Sequence, residues 1–352
     1  MQWSELIATL LDGSDLTHSQ AYGLMDQVMS GELGEVRLAS ALTALRIKGV
    51  SVNEVHGFAD AMREHAVIVD LPADSLDIVG TGGDGQRTVN ISTMAAVVLA
   101  ATGVPVVKHG NRASTSASGS ADVLEALGVN LSLDDRGIIQ TFNSVGIAFL
   151  FANNVHPSMR FAAPVRRHLA FPTVFNLLGP LTNPARPRAG AFGAAHRENA
   201  QLLAGVCAKR GISALVFRGK NKGLDELSTT DVNELWHVHD GVVDTLELDA
   251  VSTFGLTPCS IEDLRGGDAH ENAQVARDVF AGRGAAPITE AVALNVAAGL
   301  VAYGHGDGVA PADGDVVARL SNGLSIALDA LHSGAAADLL ERWIQASHTP
   351  LN

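Results

Sequence analysis

Residues 76–93 read Leu-Asp-Ile-Val-Gly-Thr-Gly-Gly-Asp-Gly-Gln-Arg-Thr-Val-Asn-Ile-Ser-Thr. A short apolar strand runs into a glycine-rich turn, and the turn runs into a helix start carrying Asn90, Ser92 and Thr93. Glycines at 80, 82, 83 and 85 free the backbone for positive φ. Successive amides in such a turn can face inward and hold an anion, and the following helix adds unpaired N–H groups and a positive dipole end. The stretch is a candidate phosphate cradle. It matches G-x-G-x-x-G at Gly80, Gly82 and Gly85, but a dinucleotide site needs an acidic residue at the end of the next strand, about 20 residues on. Here that strand ends in Lys108-His-Gly-Asn-Arg112, which is basic. A Walker A loop is excluded because no G-K-[ST] closes the turn. Asp84, inside the turn, would repel a bare pyrophosphate, which suggests a metal nearby or a sugar hydroxyl.

Working outward, alternation dominates the middle of the chain. Strand 76–79 leads to helix 91–101, strand 104–108 to helix 120–127, and strand 147–151 to helix 157–168. Strand 214–217 follows, then two polar-alternating strands, 234–238 and 243–248, that read as an antiparallel meander. This order predicts a mostly parallel sheet covered by helices. Residues 1–66 read as four short helices, with capping boxes at Thr17-x-x-Gln20 and Ser51-x-x-Glu54 and a turn at 31–34 before helix 35–46. Residues 71–74 read as a linker, and helices return at 272–281, 287–303, 314–331 and 335–346. Residues 175–184 carry too much Pro and Gly for a helix interior and read as a crossing segment between lobes. The expected fold class is α/β, a small all-helical N-terminal domain plus a larger α/β domain with a mostly parallel central sheet flanked by helices. A ligand in such a sheet sits beyond the strand carboxyl ends. That places the turns after Val79, Val107 and Phe151 around one cleft.

Composition narrows the function classes. The 352 residues are 47% hydrophobic and 18% charged, a folded rather than disordered chain. The formal charge of −14 argues against broad binding to nucleic acid or anionic membrane. Cys207 and Cys259 lack C-x-x-C spacing and read as reduced cytosolic thiols, with neither a disulfide frame nor a zinc site. The N-terminal residues do not read as a signal peptide.

Two further segments carry chemistry. Lys108–Asp122 is basic at Lys108 and Arg112 and rich in hydroxyls at 114, 115, 116, 118 and 120, with Ser118 or Ser120 expected to cap the next helix. Gly223-Leu-Asp225-Glu226-Leu-Ser228 places adjacent carboxylates between apolar neighbours. With the Ser92 hydroxyl they suit Mg²⁺, which takes oxygen ligands shared with phosphate and water. His156-Pro-Ser-Met-Arg160 and Pro164-Val-Arg166-Arg167 form a third cluster. An arginine there that faces the cleft can grip a carboxylate through two hydrogen bonds. Ser114 has no Ser-His-Asp arrangement around it, so no nucleophile is assigned.

Taken in this order and spacing, Gly80-Thr-Gly-Gly-Asp84, Asn90-Ile-Ser-Thr93, Lys108-His-Gly-Asn-Arg112 and Gly223-Leu-Asp-Glu226 resemble the anthranilate phosphoribosyltransferase family. The resemblance also takes in His156-Pro, Pro164-Val-Arg-Arg167 and Phe175-Asn-Leu-Leu-Gly-Pro and covers essentially the whole chain. It implies transfer of phosphoribose from 5-phosphoribosyl 1-diphosphate to the amino group of anthranilate, in tryptophan biosynthesis. It also implies a cytoplasmic, Mg²⁺-dependent homodimer whose partners are small-molecule substrates, with no nucleic acid and no membrane. The implied domains are a helical, dimerising domain at 1–70, joined by part of 160–184, and an α/β domain at 71–352, with the active site in the hinge cleft. Residue by residue, the resemblance implies that the phosphoribosyl diphosphate is bound by Gly80, Thr81, Gly82, Gly83, Asp84, Thr88, Asn90, Ile91, Ser92 and Thr93. The second loop adds Lys108, His109, Gly110, Asn111, Arg112, Ala113, Ser114, Thr115, Ser116 and Ser120. Gly80, Asn111 and Arg166 would bind anthranilate, and Ser92, Asp225 and Glu226 would hold the metal. No general base is assigned. The chain departs from the family pattern at Gly219-Lys-Asn-Lys222, which is more basic, and at Leu169-Ala170-Phe171, which lacks the usual glycine. The nearest rival, a pyrimidine nucleoside phosphorylase, would not need the Asp-Glu pair. A second rival, a nucleic-acid-binding relative, would have a damaged turn and a basic surface.

Overall fold

The computed structural model describes residues 2–113 and 117–350. The chain opens with helices α1 (Trp3–Leu11), α2 (His18–Met29), α3 (Glu35–Lys48) and α4 (Val52–Glu64). Both expected capping boxes form: Thr17 with Gln20 starts α2, and Ser51 with Glu54 starts α4. Gly57 lets α2 and α4 approach closely, since a Cβ there would stand 2.4 Å from the His18 carbonyl oxygen.

The α/β part contains β1 (Leu76–Gly80), α5 (Ile91–Ala101), β2 (Val106–Gly110), α6 (Ser120–Leu127), α7 (Asp135–Val145) and β3 (Ile147–Phe151). After these come three short helices, α8 (Ala152–Val155), α9 (Ala163–Leu169) and α10 (Phe175–Leu178), and then β4 (Ala189–Gly193), α11 (Arg197–Arg210) and β5 (Ser213–Gly219). The remainder is β6 (Asn233–His239), β7 (Val242–Leu248), α12 (Ala250–Phe254), α13 (Ala269–Phe280), α14 (Ala286–Tyr303), α15 (Val316–His332) and α16 (Ala335–His348). Among the described residues, these seven strands form one sheet in the order β3-β2-β1-β4-β5-β6-β7. Strands β1 to β5 are parallel, and β6 and β7 join antiparallel. The mostly parallel sheet read from the alternation is therefore present, with the meander at its edge.

The strand order reverses between β1 and β4. Successive strands run outward from β1 to β3, and β4 then returns to the other side of β1. A crevice opens at such a switch point, beyond the strand carboxyl ends. Gly80 and Gly193 lie in register there, and the Thr81 N–H donates to the Gly193 carbonyl.

Among the described residues, two large apolar cores flank the sheet, and a smaller one with Val69, Leu71 and Phe142 covers Val107, Ala148 and Leu150 at its β2–β3 end. On one face α5 and α14 pack on Leu76, Ile78, Leu215 and Phe217. Both helices are apolar almost all round, as buried helices are. By length and composition α14 is apolar enough to cross a membrane, but 72% of it lies inside the protein, as in the core helix of a folded domain. On the other face, α1–α4 share one core with Ala162, Val165, Phe175, Leu178 and Leu181, with α11, and with Phe192, Val216 and Trp236 of the sheet.

Several sequence expectations need correction. Helix 157–168 is broken into a 3₁₀ turn (Pro157–Phe161) and α9, because Pro157 and Pro164 each restart a helix and Ala170 ends the run in the left-handed region. Neither Ser118 nor Ser120 caps α6. Gly119 holds that position, and the Asp122 carboxylate accepts from the amides of Gly119 and Ala113. Strand β4 and helices α7 and α11 have no counterpart in the sequence reading.

Candidate active site

At the switch point the glycine-rich turn faces the segment after β5. The Asp225 Oδ2 accepts the Gly82 N–H at 2.7 Å, and the Glu226 Oε1 accepts the Ser92 N–H at 3.1 Å. The acidic pair thus spans the glycine-rich turn and the first turn of α5, where Glu226 satisfies the Ser92 donor. A Cβ on Gly80 would stand 2.2 Å from the Asp225 carboxylate, and one on Gly193 1.7 Å from its carbonyl oxygen. Both strand ends must therefore be glycine for the acidic segment to reach the turn.

Three carboxylates crowd this point. Burial first, then repulsion from Asp84, pushes Asp225 up to about 7. Burial and the neighbouring Asp225 raise Glu226 well above the usual carboxylate range. Lys108 lies beneath them, 1% exposed, its ammonium donating to the Ile78 carbonyl and standing 3.4 Å from the Ser92 hydroxyl. Burial lowers its pKa, while Asp77, Glu226 and Asp225 oppose that shift. Asp77, fully buried, accepts from the His109 amide and from Asn183. The donors are all oxygens, held by mutual repulsion in a state that a cation would relieve. Asp225, Glu226, Asp84 and the Ser92 hydroxyl therefore fit a hard divalent ion such as Mg²⁺.

Several expected residues sit differently from a simple loop reading. Lys108 is a buried counter-charge under the turn rather than a free loop cation. Arg112 is paired with Asp122 and Glu125 and lies over the Phe151 ring, so its charge is already compensated. The Asn90 amide donates to the Ser118 carbonyl and its oxygen accepts from Asn272, tying the start of α5 to the second loop and to α13. Thr88 pairs with Arg265 in an isolated bridge that fastens the outer end of the turn. Ser114, Thr115 and Ser116 lie outside the described residues.

A cleft of about 560 Å³ adjoins the turn, lined by Gly80, Thr81, His109, Gly110, Asn111, Asn153, His156, Arg166 and Phe175, among others. It lies at the ends of β1, β2 and β3, where the sequence places the converging turns. Arg166 is half-buried, with its guanidinium 5.2 Å from the centre of the Phe175 ring. Burial alone lowers its pKa, with no charge partner contributing among the described residues. A part-buried guanidinium without a counter-charge, beside an aromatic ring, calls for a planar anionic ligand. His109 and His156 stand edge to face at 5.1 Å, and the Nε2 of each is buried without a partner among the described residues. Burial pushes them down to about 3 and about 4, so both are neutral at physiological pH. Sequence reasoning misses this pair as a unit because two histidines so far apart in the chain carry no spacing signal. It misses Gly193 because it misses β4 itself, and Asn183 because its partner, Asp77, lies 106 positions away.

The fold and site define a glycosyl-transferring protein of two parts. A glycosyl transferase family model for the helical bundle domain matches residues 4–66, and the model for the a/b domain of that family matches 72–337. Among relatives, anthranilate phosphoribosyltransferase of Arthrobacter sp. (strain FB24) is 50% identical over 342 residues, covering 97% of this chain and 95% of its own. That of Nocardia farcinica is 48% identical over 98% and 99%. The crystal structure of the Thermus thermophilus enzyme superposes with a TM-score of 0.89 at 39% identity, covering 98% of this chain and 99% of that one. The Saccharomyces cerevisiae enzyme, solved in complex with PRPP and Mg, superposes at 0.85 with 28% identity over 98% and 97%. The chain belongs to the anthranilate phosphoribosyltransferase family.

Proposed function

We infer that this chain transfers the 5-phosphoribosyl group of 5-phosphoribosyl 1-diphosphate to the amino group of anthranilate, releasing diphosphate, as a Mg²⁺-dependent step of tryptophan biosynthesis. The observation that carries the residue assignments is the closure of Asp225 and Glu226 on the Gly82 and Ser92 amides. In this reading the amides and hydroxyls from Gly80 to Thr93, with the second loop from Lys108 to Ser120, hold the phosphoribosyl diphosphate. Ser92, Asp225 and Glu226, joined by Asp84, hold the metal. When bound, Mg²⁺ neutralises charge that builds on the departing diphosphate.

The chain's own residues have two tasks. Lys108 keeps positive charge beneath the diphosphate site, in a low-dielectric position where it acts strongly. Asn111 and Arg166 orient anthranilate through its carboxylate, so that the amino nitrogen lines up with ribose C1. The C1–O bond breaks early, giving an oxocarbenium-like transition state as in glycoside cleavage. The arylamine is a weak nucleophile, so positioning matters more than deprotonation before attack, and no general base is assigned.

The chain works as a homodimer through its helical domain, a reading supported by Leu11 on α1 and Val36 and Ile47 on α3, all largely exposed apolar side chains. Two free thiols, Cys207 and Cys259, support a reducing, cytoplasmic setting. The test of the residue assignments is Mg²⁺-dependent turnover in Asp225 and Glu226 variants, in which near-normal rates at limiting Mg²⁺ would overturn them.

A further inference from the structure

Away from the catalytic cleft, three ligating side chains converge between α2 and α4. The Nε2 of His18 and the Nε2 of His56 both approach the same oxygen of Asp60, Oδ2, at 2.9 and 3.2 Å. The two rings meet edge to face with centroids 4.6 Å apart. The other Asp60 oxygen, Oδ1, is held by Arg210 of α11 at 2.7 Å, and Arg210 is in turn fixed by the Leu181 carbonyl. Gly57 allows this geometry, because any side chain there would push the first turn of α2, and with it His18, away from α4.

We propose that His18, His56 and Asp60 form a binding site for a borderline transition-metal ion, of which Zn²⁺ is the reference case. Two imidazole nitrogens and one carboxylate oxygen are the donor set that such ions prefer, and that Mg²⁺ and Ca²⁺ do not. With Zn–N and Zn–O bonds of about 2.0–2.2 Å, the edge of a tetrahedral site is ~3.3 Å. The two Nε2–Oδ2 separations lie within a few tenths of an ångström of that edge, and one ligand atom from each of the three side chains lies within 4.8 Å of the others. His18 is 40% exposed, leaving a fourth position open to water. Arg210 supplies the outer hydrogen bond that metal-ligating carboxylates characteristically have.

Hydrogen bonding alone accounts for the same contacts only if both rings carry their proton on Nε2. A metal ion requires both protons on Nδ1. The two states are exclusive, so metal titration separates them. An ion here would tie α2 and α4 to α11, joining the helical bundle to a helix of the sheet layer at a point remote from the chemistry.

A second group, His237, His239 and Asp244, sits on the β6–β7 hairpin. Its Nε2–Oδ2 contact is a single pair, His239 with Asp244 at 2.8 Å, so it serves as the internal control.

The test uses the full-length, metal-stripped protein in saturating Mg²⁺, which occupies the acidic site. Zn²⁺ is titrated by calorimetry, Co²⁺ by its visible absorption, and Tm is read with and without Zn²⁺. The expected result is one Zn²⁺ per chain, a tetrahedral Co²⁺ spectrum and a rise in Tm on binding. His18→Gln and His56→Gln should each weaken Zn²⁺ by about tenfold or more, while His239→Gln leaves it unchanged. Because His18 is part-exposed and a glutamine amide there can still donate to Asp60, His18→Gln should melt, without zinc, close to the parent chain, which separates lost ligation from lost folding. Absence of stoichiometric binding would overturn the proposal. So would binding that survives both α2 and α4 variants, or that is lost only in His239→Gln.

Discussion

The carboxylate of Asp225 accepts the backbone N–H of Gly82 at 2.7 Å across 143 positions of sequence. That one contact joins the segment after β5 to the glycine-rich turn after β1, and with Glu226 on Ser92 it places the acidic pair where a diphosphate and its metal would meet.

Replacing both carboxylates by amides, Asp225→Asn with Glu226→Gln, should lower kcat by about 100-fold or more, since several kcal/mol of charge stabilisation is lost. The amides keep the side-chain volumes, so Tm should hold or rise as the buried repulsion disappears. Steady-state rates at limiting Mg²⁺ provide the check, and near-normal turnover would remove the pair from the metal site.

Gly80→Ala and Gly193→Ala should fail in different ways. The Cβ at 80 strikes the Asp225 carboxylate, while that at 193 strikes its main chain. Gly193→Ala should therefore destabilise the fold by about 2 kcal/mol through overpacking. Gly80→Ala should mainly weaken Mg²⁺ binding by displacing the Asp225 side chain. Denaturant melts and Mg²⁺ titrations of both variants separate the two; equal stability losses would contradict this division.

The acidic pair also sets a pH dependence. Asp225, pushed up to about 7 in the fold, starts from an ordinary value of 3.8 in the unfolded chain. Its favourable contribution is complete below the unfolded value and is lost as pH rises through about 7, when a buried carboxylate must ionise. A cation bound to the ionised pair reverses that loss. The Tm gain from Mg²⁺ should therefore be larger near pH 8 than near pH 5.5, and a gain that is equal at the two would contradict the assignment.

Arg166→Ala should raise KM for anthranilate by about 10- to 100-fold with kcat little changed, the worth of a hydrogen-bonded charge pair of about 1.5–3 kcal/mol. Arg166→Lys should not restore it, because an ammonium cannot replace a planar two-pronged donor stacked on Phe175. His109 and His156, neutral down to about 4, should leave that KM without a titration near 6.5. A KM unchanged in Arg166→Ala, with altered Tm alone, would return the side chain to a packing role.

How far the site can be read from sequence depends on where each residue's partner lies. The turn at Gly80–Asp84 is legible because glycines act locally, whereas the partners of Asn90, Ser118 and Asn272, are distant in sequence. The capping boxes at Thr17 and Ser51 are legible because cap residues also act locally. Strand β4 is not, since Ala-Gly-Ala-Phe-Gly has no alternation and Gly193 is dictated by the main chain of Asp225, which lies beyond the next strand. Lys108 reads as a charge for phosphate at the end of its strand, and its burial among Asp77, Asp225 and Glu226 carries no local signal. Arg112 reads as a free phosphate ligand until Asp122 and Glu125, on the next helix, are seen to claim it.

The most direct measurement mixes the purified protein with 5-phosphoribosyl 1-diphosphate, Mg²⁺ and anthranilate and follows the loss of anthranilate fluorescence. Loss that requires both the diphosphate and Mg²⁺ is the predicted result. No loss, together with phosphate-dependent cleavage of thymidine or uridine, would contradict it and would mean that the sheet and its turn serve a nucleoside phosphorylase instead.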